Sequence, residues 1–414
     1  MILPLVPKIY DQFTCPECQS KRVDSNDFLF QGIHVLAQFH CAECGGSFFG
    51  DLPLSQALMT PYIVNKELTK IYGHPRALEW FGRPLLRSLQ HPSQAVVDVT
   101  IEKFRTAEHA LLLNSIDYLY GHCLLKLLNV EHFLNRQEGE GLIVLVPQFL
   151  RWLVPRGVAE IWSVNIPLSL ANQYFPSLDT NIKKELQRFA SVKIAQTHPH
   201  PRVRHIQAYT NVPTHDFSRS SYRITFVWRD DRVWGRNETL SRIIHAIPWA
   251  NAFLLLRQNL VVRRLFSILR KHFPEAQFTV AGLGRRTKFP EWILDERVGQ
   301  FSDSAEVQQC RVFSESRLVI GAHGSHMLLP SAHAGITVDL MPPSRWGNLA
   351  QDIIFQEQDV RMGAFRFRFL PMSLSMKDLA IVARSCIDDY FSYKNLMQAV
   401  PRADEPSVSR RENE

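Results

Sequence analysis

The stretch RLVIGAHGSHMLLPSAHAGITVDLMP, residues 317–342, decides the fold. It begins with a short apolar run and passes through a Gly-His-Gly turn into a helical pattern. It then ends in a second apolar run. Apolar strands that alternate with amphipathic helices are typical of a parallel sheet covered on both faces. The stretch therefore predicts one repeating unit of a doubly wound α/β domain.

The turn inside this stretch has the features of a phosphate site. A helix that starts directly after a buried strand directs its first amides and its positive dipole end at a bound anion. Gly321 and Gly324 permit close backbone approach, and Ser325 is placed to cap the helix and to donate to a phosphate. Asp339, at the end of the next strand, is placed to accept a hydrogen bond from a ribose hydroxyl. We predict that these four residues bind a nucleotide.

Three histidines, His323, His326 and His333, lie in the same stretch. Histidines that lack nearby carboxylates or cysteines more often form hydrogen bonds or pack in the core than bind a metal ion. We therefore expect hydrogen-bonding or core roles here, with a metal site as the less favoured alternative.

A second charged stretch lies upstream, in ITFVWRDDRVWGRNE at residues 224–238. An apolar strand ends there directly in arginines and aspartates, and ligands of doubly wound sheets bind at the carboxyl ends of strands. Guanidinium groups grip phosphates through two hydrogen bonds, so Arg229, Arg232 and Asn237 are candidate nucleotide ligands. An equally weighted alternative is a solvated loop in which arginine and aspartate pair with each other.

Together these two stretches resemble bacterial members of glycosyltransferase family 61. In that family a strand ending in R(x)nR…NE is followed later by a strand, a G-x-HG-(A/S) turn, a helix and a strand ending in an acidic residue. The matching segments are WRDDRVWGRNE and IGAHGSHMLLPSAHAGITVDL, and the resemblance covers residues 220–345. It implies an inverting glycosyltransferase of GT-B architecture, built from two Rossmann-like domains.

The resemblance also implies a separate role for each of the two domains. The second domain would hold a nucleotide-sugar donor, and the first would hold a glycan or glycoconjugate acceptor whose hydroxyl receives the sugar. No catalytic metal is implied, and His323 joins the catalytic candidates. The chain departs from the family pattern in GLGRRTKFPEWILDER, residues 282–297, where Arg285, Arg286 or Lys288 could replace other phosphate ligands.

The catalytic base should come from the acceptor side. The segment NSIDYLYGH, residues 114–122, follows the first apolar strand of that domain and offers Asp117 and His122. Catalytic groups concentrate just beyond the carboxyl ends of such strands. The alternatives are a helix cap for Asp117 and a hydrogen-bonded core histidine for His122, and we favour these structural roles over catalysis for both residues.

Two CxxC motifs stand near the start of the chain. Tetrahedral zinc takes four soft ligands, and each CxxC turn lets two thiolates converge on one ion. We predict a zinc ribbon with a structural zinc, because four cysteines leave no open coordination position for catalysis. The ligands are Cys15, Cys18, Cys41 and Cys44.

These patterns divide the chain into consecutive parts. The predicted class is α/β, with two doubly wound Rossmann-like domains of GT-B type preceded by a small zinc ribbon. The predicted parts are a ribbon at 1–52, a helical linker or scaffold at 53–107, the acceptor-side domain at 108–215, the nucleotide-sugar domain at 216–375, a closing helix at 376–398 and a disordered tail at 399–414.

Composition excludes several classes of protein. Hydrophobic residues make up 45% and charged residues 21% of the 414 residues, which argues against wholesale disorder. No apolar run is long enough for a membrane helix, so we expect a cytoplasmic protein. The net charge of +7 attracts polyanions only mildly, and we expect no stable nucleic-acid binding.

Other functions remain open at this stage. One is a nucleic-acid-binding protein, because zinc ribbons occur in such proteins. Another is a protein that binds a partner through its ribbon. The third is an inactive GT-B module that binds nucleotide-sugar or glycan without turnover.

Overall fold

A computed structural model of the chain describes residues 2–134, 140–201, 205–234, 248–354 and 359–397. The chain divides into two compact units, Met1–Asn211 and Val212–Glu414. In the described residues no helix combines the length and the apolar character needed to cross a membrane. Each unit combines helices and strands, which confirms the α/β part of the predicted class.

The described residues of the first unit form two sheets. Its strands are β1 (Ile2–Val6), β2 (Val23–Phe30), β3 (Val35–Cys41), β4 (Ser47–Asp51), β5 (Tyr62–Asn65), β6 (Ile71–Gly73), β7 (Val99–Lys103), β8 (His109–Asn114), β9 (Glu140–Pro147), β10 (Glu160–Val164) and β11 (Ser191–Ala195). Its helices are α1 (Arg83–Gln90), α2 (Tyr120–Leu127), α3 (Pro176–Leu186) and α4 (Ile206–Thr210).

The larger of these sheets has the order β1-β11-β8-β9-β10-β7. Its four central strands are parallel, and β1 and β7 are antiparallel edges. β8 and β9 read as nearly continuous apolar runs, HALLLN and EGLIVLVP, because both of their faces are buried. This confirms the parallel pattern predicted from residue 108 onward.

The smaller sheet is an antiparallel meander of β2 to β6. Its apolar residues, such as Phe30 and Leu36, share one hydrophobic core with Leu112 and Trp162 of the larger sheet. The cysteine-rich segment is therefore part of the first compact unit rather than a separate domain.

Two predicted boundaries differ from the structure. Strand β1 leaves the predicted ribbon at 1–52 to pair with β11, while β5 and β6 extend the ribbon sheet beyond residue 52. The segment 53–107 is therefore not a helical linker: it contributes strands to both sheets and only one α-helix. The stretch TPYIVN carries aromatic and β-branched residues, which suit a strand better than a helix.

In the part of the second unit that the structure describes, six strands form one sheet, and each is parallel to its neighbours. The strands are β12 (Arg223–Arg229), β13 (Gln277–Leu283), β14 (Ile293–Asp295), β15 (Ser316–Ala322), β16 (Ile336–Met341) and β17 (Phe367–Pro371). The α-helices among its described residues are α5 (Pro248–Arg270), α6 (Asp303–Glu315), α7 (Leu328–His333), α8 (Val360–Arg366), α9 (Met376–Asp388) and α10 (Tyr390–Met397).

The strand order of this sheet is β14-β13-β12-β15-β16-β17. After β12 the chain adds β13 and β14 on one side. It then crosses to the other side of β12 and adds β15, β16 and β17. Phe226 of β12 packs with α5 and α9, whereas the adjacent Val227 packs with α6. Helices therefore cover both faces of the sheet.

The end of the chain differs slightly from the prediction. The closing helix expected at 376–398 is two helices, α9 and α10, which are separated at Asp389. The predicted tail at 399–414 lies outside the described residues.

Candidate functional site

The first candidate site lies at the carboxyl edge of the second unit's sheet. Strands β12 and β15 are direct neighbours there, with Val227 paired to Gly321. The sequence continues from β12 into Arg229 to Arg232 and from β15 into His323 to His326. The structure thus brings together the two stretches that carry the predicted nucleotide ligands.

Arg229 is paired within its own loop. Its Nε and Nη2 atoms donate to the two carboxylate oxygens of Asp231, each over 2.8 Å. This is the arginine and aspartate pairing that the sequence left open as an alternative. A phosphate at this position would have to share Arg229 with Asp231.

Arg232 is directed into the neighbouring turn. Its Nη1 donates to the main-chain oxygen of His323 over 2.6 Å. A Cβ atom on Gly324, where φ is +151°, would lie 2.6 Å from the guanidinium carbon of Arg232. The Arg232 guanidinium thus occupies the space beside Gly324, where the sequence predicted a ligand.

Gly321 also has a packing role. A Cβ atom there would collide with the sulfur of Met327 and would approach Val227 to 3.2 Å. The space predicted to admit a phosphate is thus filled by the helical segment packed on the strand.

The helical segment after the turn is shorter than predicted. Ser325 begins a single 3₁₀ turn, Ser325–Met327, and α7 that follows has only six residues. No side chain caps the turn, whose N-cap residue is Gly324. The predicted capping role of Ser325 is therefore wrong, although its side chain remains partly exposed at the edge of the sheet.

His323 lies between two buried carboxylates. Its Nδ1 atom is 3.1 Å from Asp339 Oδ2 and 3.0 Å from Asp352 Oδ2. Burial lowers the pKa of His323, but the hydrogen bonds to Asp339 and Asp352 outweigh burial and raise that pKa to about 9. The sequence argument that these histidines lack carboxylate neighbours is therefore wrong for His323.

The same geometry changes the role predicted for Asp339. Its residue is fully buried, and its Oδ2 is engaged by His323. A ribose hydroxyl has no access to this carboxylate in the structure. His323 is only 4% exposed, which leaves its side chain little access to a substrate in the structure.

Two further titratable groups adjoin the arginines. Burial lowers the pKa of His326 well below its ordinary value, and Arg232 and Arg229 reinforce this effect, so its imidazole is neutral at pH 7. Burial and the Asp303 carboxylate raise the pKa of Glu306 to about 7, while Arg229 opposes the rise. Glu306 lies on α6 and was not among the sequence candidates.

An open cavity of about 380 Å³ lies beside Arg229 at this edge. Arg285 and Arg286 line it together with Asp230, and Arg286 Nε is 3.5 Å from Asp230 Oδ2. Arg285 donates to the main-chain oxygen of Arg297. The segment GLGRR, identified as a departure from the family pattern, therefore supplies cationic side chains to the same edge. Asn237 lies outside the described residues.

The second candidate site lies in the first unit, where Asp117 follows β8 and His122 lies on α2. His122 Nδ1 is 3.2 Å from Asp117 Oδ1, and the His122 side chain is 33% exposed. The same ring nitrogen is 3.1 Å from Gln56 Nε2, so Nδ1 lies between a carboxylate acceptor and an amide nitrogen. The structure therefore joins the two predicted residues as a carboxylate and histidine pair.

Two residues that the sequence did not identify complete this pair. Lys126 Nζ is 2.8 Å from Asp117 Oδ2, and Gln56 Nε2 lies 3.4 Å from the same oxygen. Burial would raise the pKa of Asp117, but Lys126 and His122 outweigh it and hold that pKa far below its usual range. A single lysine in the apolar run CLLKLL, four residues after His122, was the available signal for a buried cation.

The four cysteines converge as the zinc prediction requires. Cys15 Sγ is 3.6 Å from Cys44 Sγ, and Cys18 Sγ is 3.6 Å from Cys41 Sγ. Zinc bound tetrahedrally by sulfur at about 2.3 Å places its ligands roughly 3.8 Å apart. These residues therefore fit one tetrahedral metal ion, and together they could hold it.

Both CxxC turns have the same backbone form. The residue after each second cysteine, Gln19 or Gly45, has a positive φ, of 60° and 71° respectively. The amide of each donates to the carbonyl of the first cysteine in its motif. Hydrogen bonds from the backbone amides of Cys44 and Glu43 contribute to lowering the pKa of Cys41 to about 7, which favours the thiolate form.

Neither nearby histidine is needed as a ligand. His34 Nδ1 is 2.8 Å from Asp51 Oδ2 in a buried pair, and His40 Nδ1 is 3.3 Å from Ser47 Oγ.

Comparison with protein-family models, curated proteins and solved structures found no match to the chain. The resemblance to glycosyltransferase family 61 accordingly stays a prediction from the sequence motifs.

Proposed function

We propose that the protein is an inverting glycosyltransferase of GT-B type, which transfers a sugar from a nucleotide-sugar donor to a hydroxyl of a glycan or glycoconjugate. The observation that carries this proposal is the strand order of the second unit. Numbered from β12, the order is 3-2-1-4-5-6, which is the order of dinucleotide-binding Rossmann sheets. Ligands of such sheets bind where the order reverses, here between β12 and β15.

The charges at this edge suit a nucleoside diphosphate. Arg229, Arg285 and Arg286 line the cavity, and guanidinium groups are the preferred partners of phosphate oxygens. We assign the diphosphate to this cavity, which is lined by the segments that follow β12 and β13 and also contains the carboxylates of Asp230 and Asp231. Arg232 holds the turn after β15. Fixed cations that face the departing diphosphate lower the barrier by stabilising the charge that develops on it.

The acceptor chemistry is assigned to His122. In an inverting transfer the acceptor oxygen attacks the anomeric carbon, and the bond from that carbon to the diphosphate oxygen breaks. The acceptor proton passes to His122 Nε2, and the diphosphate leaves with the bonding electron pair. Asp117 holds the His122 ring and stabilises the imidazolium that forms, as a positioning residue. Lys126, which is paired with the Asp117 carboxylate, would keep that carboxylate ionised and in place beside His122.

The four-cysteine site is proposed to hold structural zinc. Four thiolates leave no coordination position for substrate, so such an ion supplies folding energy rather than chemistry. The ribbon shares its core with the larger sheet, and Gln56 reaches Asp117 from the segment that follows the ribbon. The ribbon therefore braces the acceptor-side residues.

A panel of nucleotides tests the proposal. The full chain is titrated with UDP, GDP, CMP and their sugar conjugates while its thermal unfolding is followed. We expect one nucleotide class to raise the unfolding temperature, because a ligand at 100 times its dissociation constant adds about 2.7 kcal/mol of stability. If none of the nucleotides changes the unfolding temperature, the donor assignment is wrong. A steep salt dependence of DNA or RNA binding would then favour a nucleic-acid role instead.

A further inference from the structure

We propose that His323, Asp339 and Asp352 form a second metal site, for a divalent transition-metal cation. The three side chains come from different segments that meet at the carboxyl edge of the second sheet: the end of β15, strand β16 and the segment after it. One donor atom from each lies within 4.8 Å of the others, and all three residues are buried. This inference does not depend on nucleotide binding.

The distances suit ligands that share one ion. His323 Nδ1 is 3.1 Å from Asp339 Oδ2 and 3.0 Å from Asp352 Oδ2. Nitrogen and oxygen ligands bound tetrahedrally to zinc at about 2.0 to 2.1 Å lie roughly 3.3 to 3.4 Å apart, a few tenths of an ångström farther than these pairs. The side chains therefore need little rearrangement to accept an ion.

The hydrogen bonds within the cluster are incomplete. Nδ1 of His323 carries at most one proton, and its geometry directs that proton to Asp339 Oδ2. Asp339 Oδ1 is buried without a hydrogen-bond partner among the described residues, and Asp352 Oδ2 lies 3.0 Å from the same Nδ1, which has no second proton to donate. Unpaired carboxylate oxygens in a protein interior are costly. A cation would balance the two negative charges and occupy the oxygen lone pairs.

The surroundings hold the ligands in place. The main-chain amide of His323 donates to Leu340 O, which ties the turn to β16. Ser331 Oγ donates to Asp352 O and accepts from the amide of Ile354, each over less than 3.5 Å. A nitrogen ligand with two carboxylates suits divalent cations such as Zn²⁺ and Mn²⁺. An ion bound by His323 would fix the turn after β15. Arg232 contacts the same turn, because it donates to His323 O.

Metal content tests this site. The full chain is purified from zinc-supplemented medium and its zinc is counted per chain. We expect Asp352→Asn to hold one zinc ion fewer per chain than the wild type. The ion at the four cysteines should be present in both proteins. Asp388→Asn, at an exposed position of the same unit, serves as the matched control and should keep the wild-type count. Equal zinc content in Asp352→Asn and the wild type would overturn the proposal.

A second measurement covers the case in which Asp352→Asn does not fold. The metal-free wild-type chain is titrated with Co²⁺ and its visible absorption is recorded. The cysteine site gives thiolate-to-cobalt charge transfer, whereas a site of nitrogen and oxygen ligands does not. We expect one equivalent that produces this charge transfer and another that adds only cobalt-centred bands. Binding that ends with the thiolate equivalent would show that His323 and its carboxylates form only an ion pair.

Discussion

Replacing Lys126 with methionine is expected to lower the free energy of unfolding by about 3 to 5 kcal/mol. The Lys126 and Asp117 side chains are 2% and 1% exposed, and their charged atoms are 2.8 Å apart. Lys126 Nζ also donates to Ile116 O over 2.9 Å. The substitution would leave the Asp117 carboxylate buried without its cation, which is far more costly than losing a surface ion pair.

Denaturant unfolding checks this result against two other variants. Lys184→Met, at an exposed position of α3, should change stability by less than about 0.5 kcal/mol. The double variant Asp117→Asn with Lys126→Met should recover part of the loss, because it removes both charges. Lys126→Met as stable as the wild type would contradict the buried ion pair.

The same pair predicts a response to acid. The pKa of Asp117 is lower in the folded chain than in the unfolded chain, so the unfolded chain binds the proton first. The stabilisation is therefore fully present above the unfolded pKa of about 4 and is lost as the pH falls below it. We expect wild-type stability to fall more steeply on acidification than that of the double variant.

Replacing Cys41 with serine is expected to remove the metal ion and the fixed structure of the ribbon sheet. Structural zinc binds small domains with an apparent free energy of about 10 to 16 kcal/mol, and such domains unfold without it. Here β2 and β3 pack against the larger sheet, so the loss should extend to the first unit's core. The measurements are zinc content and thermal unfolding of the full chain.

His40→Ala is the matched control for this variant. His40 is exposed beside Cys41 and contacts Ser47, without a place among the four converging sulfurs. We expect it to retain zinc and the wild-type unfolding temperature. A Cys41→Ser chain that keeps both would rule out the four-cysteine metal site.

The sequence predicted the second sheet well because its strands are short apolar runs that end in glycine or charged residues. Such runs, as in QFTVAGL and RLVIGA, identify buried parallel strands without knowledge of their partners. The cysteine spacing likewise predicted the convergence of four sulfurs. Both signals are local in the chain.

The features that were missed depend on contacts between distant residues. Gln56 lies 61 positions before Asp117, and Asp352 stands in a segment without strand or helix. Nothing local marks either residue as a neighbour of a candidate site. The glycine roles failed for a related reason, since the sequence does not show that Met327 and Arg232 occupy the space beside Gly321 and Gly324.

The central claim is that the carboxyl edge of the second sheet binds a nucleoside diphosphate, and calorimetric titration with UDP and GDP tests it most directly. Arg286 lines the cavity and has a side chain that is 67% exposed, so Arg286→Ala should fold normally. We predict that it binds roughly tenfold more weakly, since a charge-assisted hydrogen bond contributes about 1.5 kcal/mol. The exposed control Arg264→Ala should bind like the wild type. Equal affinities in all three proteins, or no binding heat with either nucleotide, would contradict the claim.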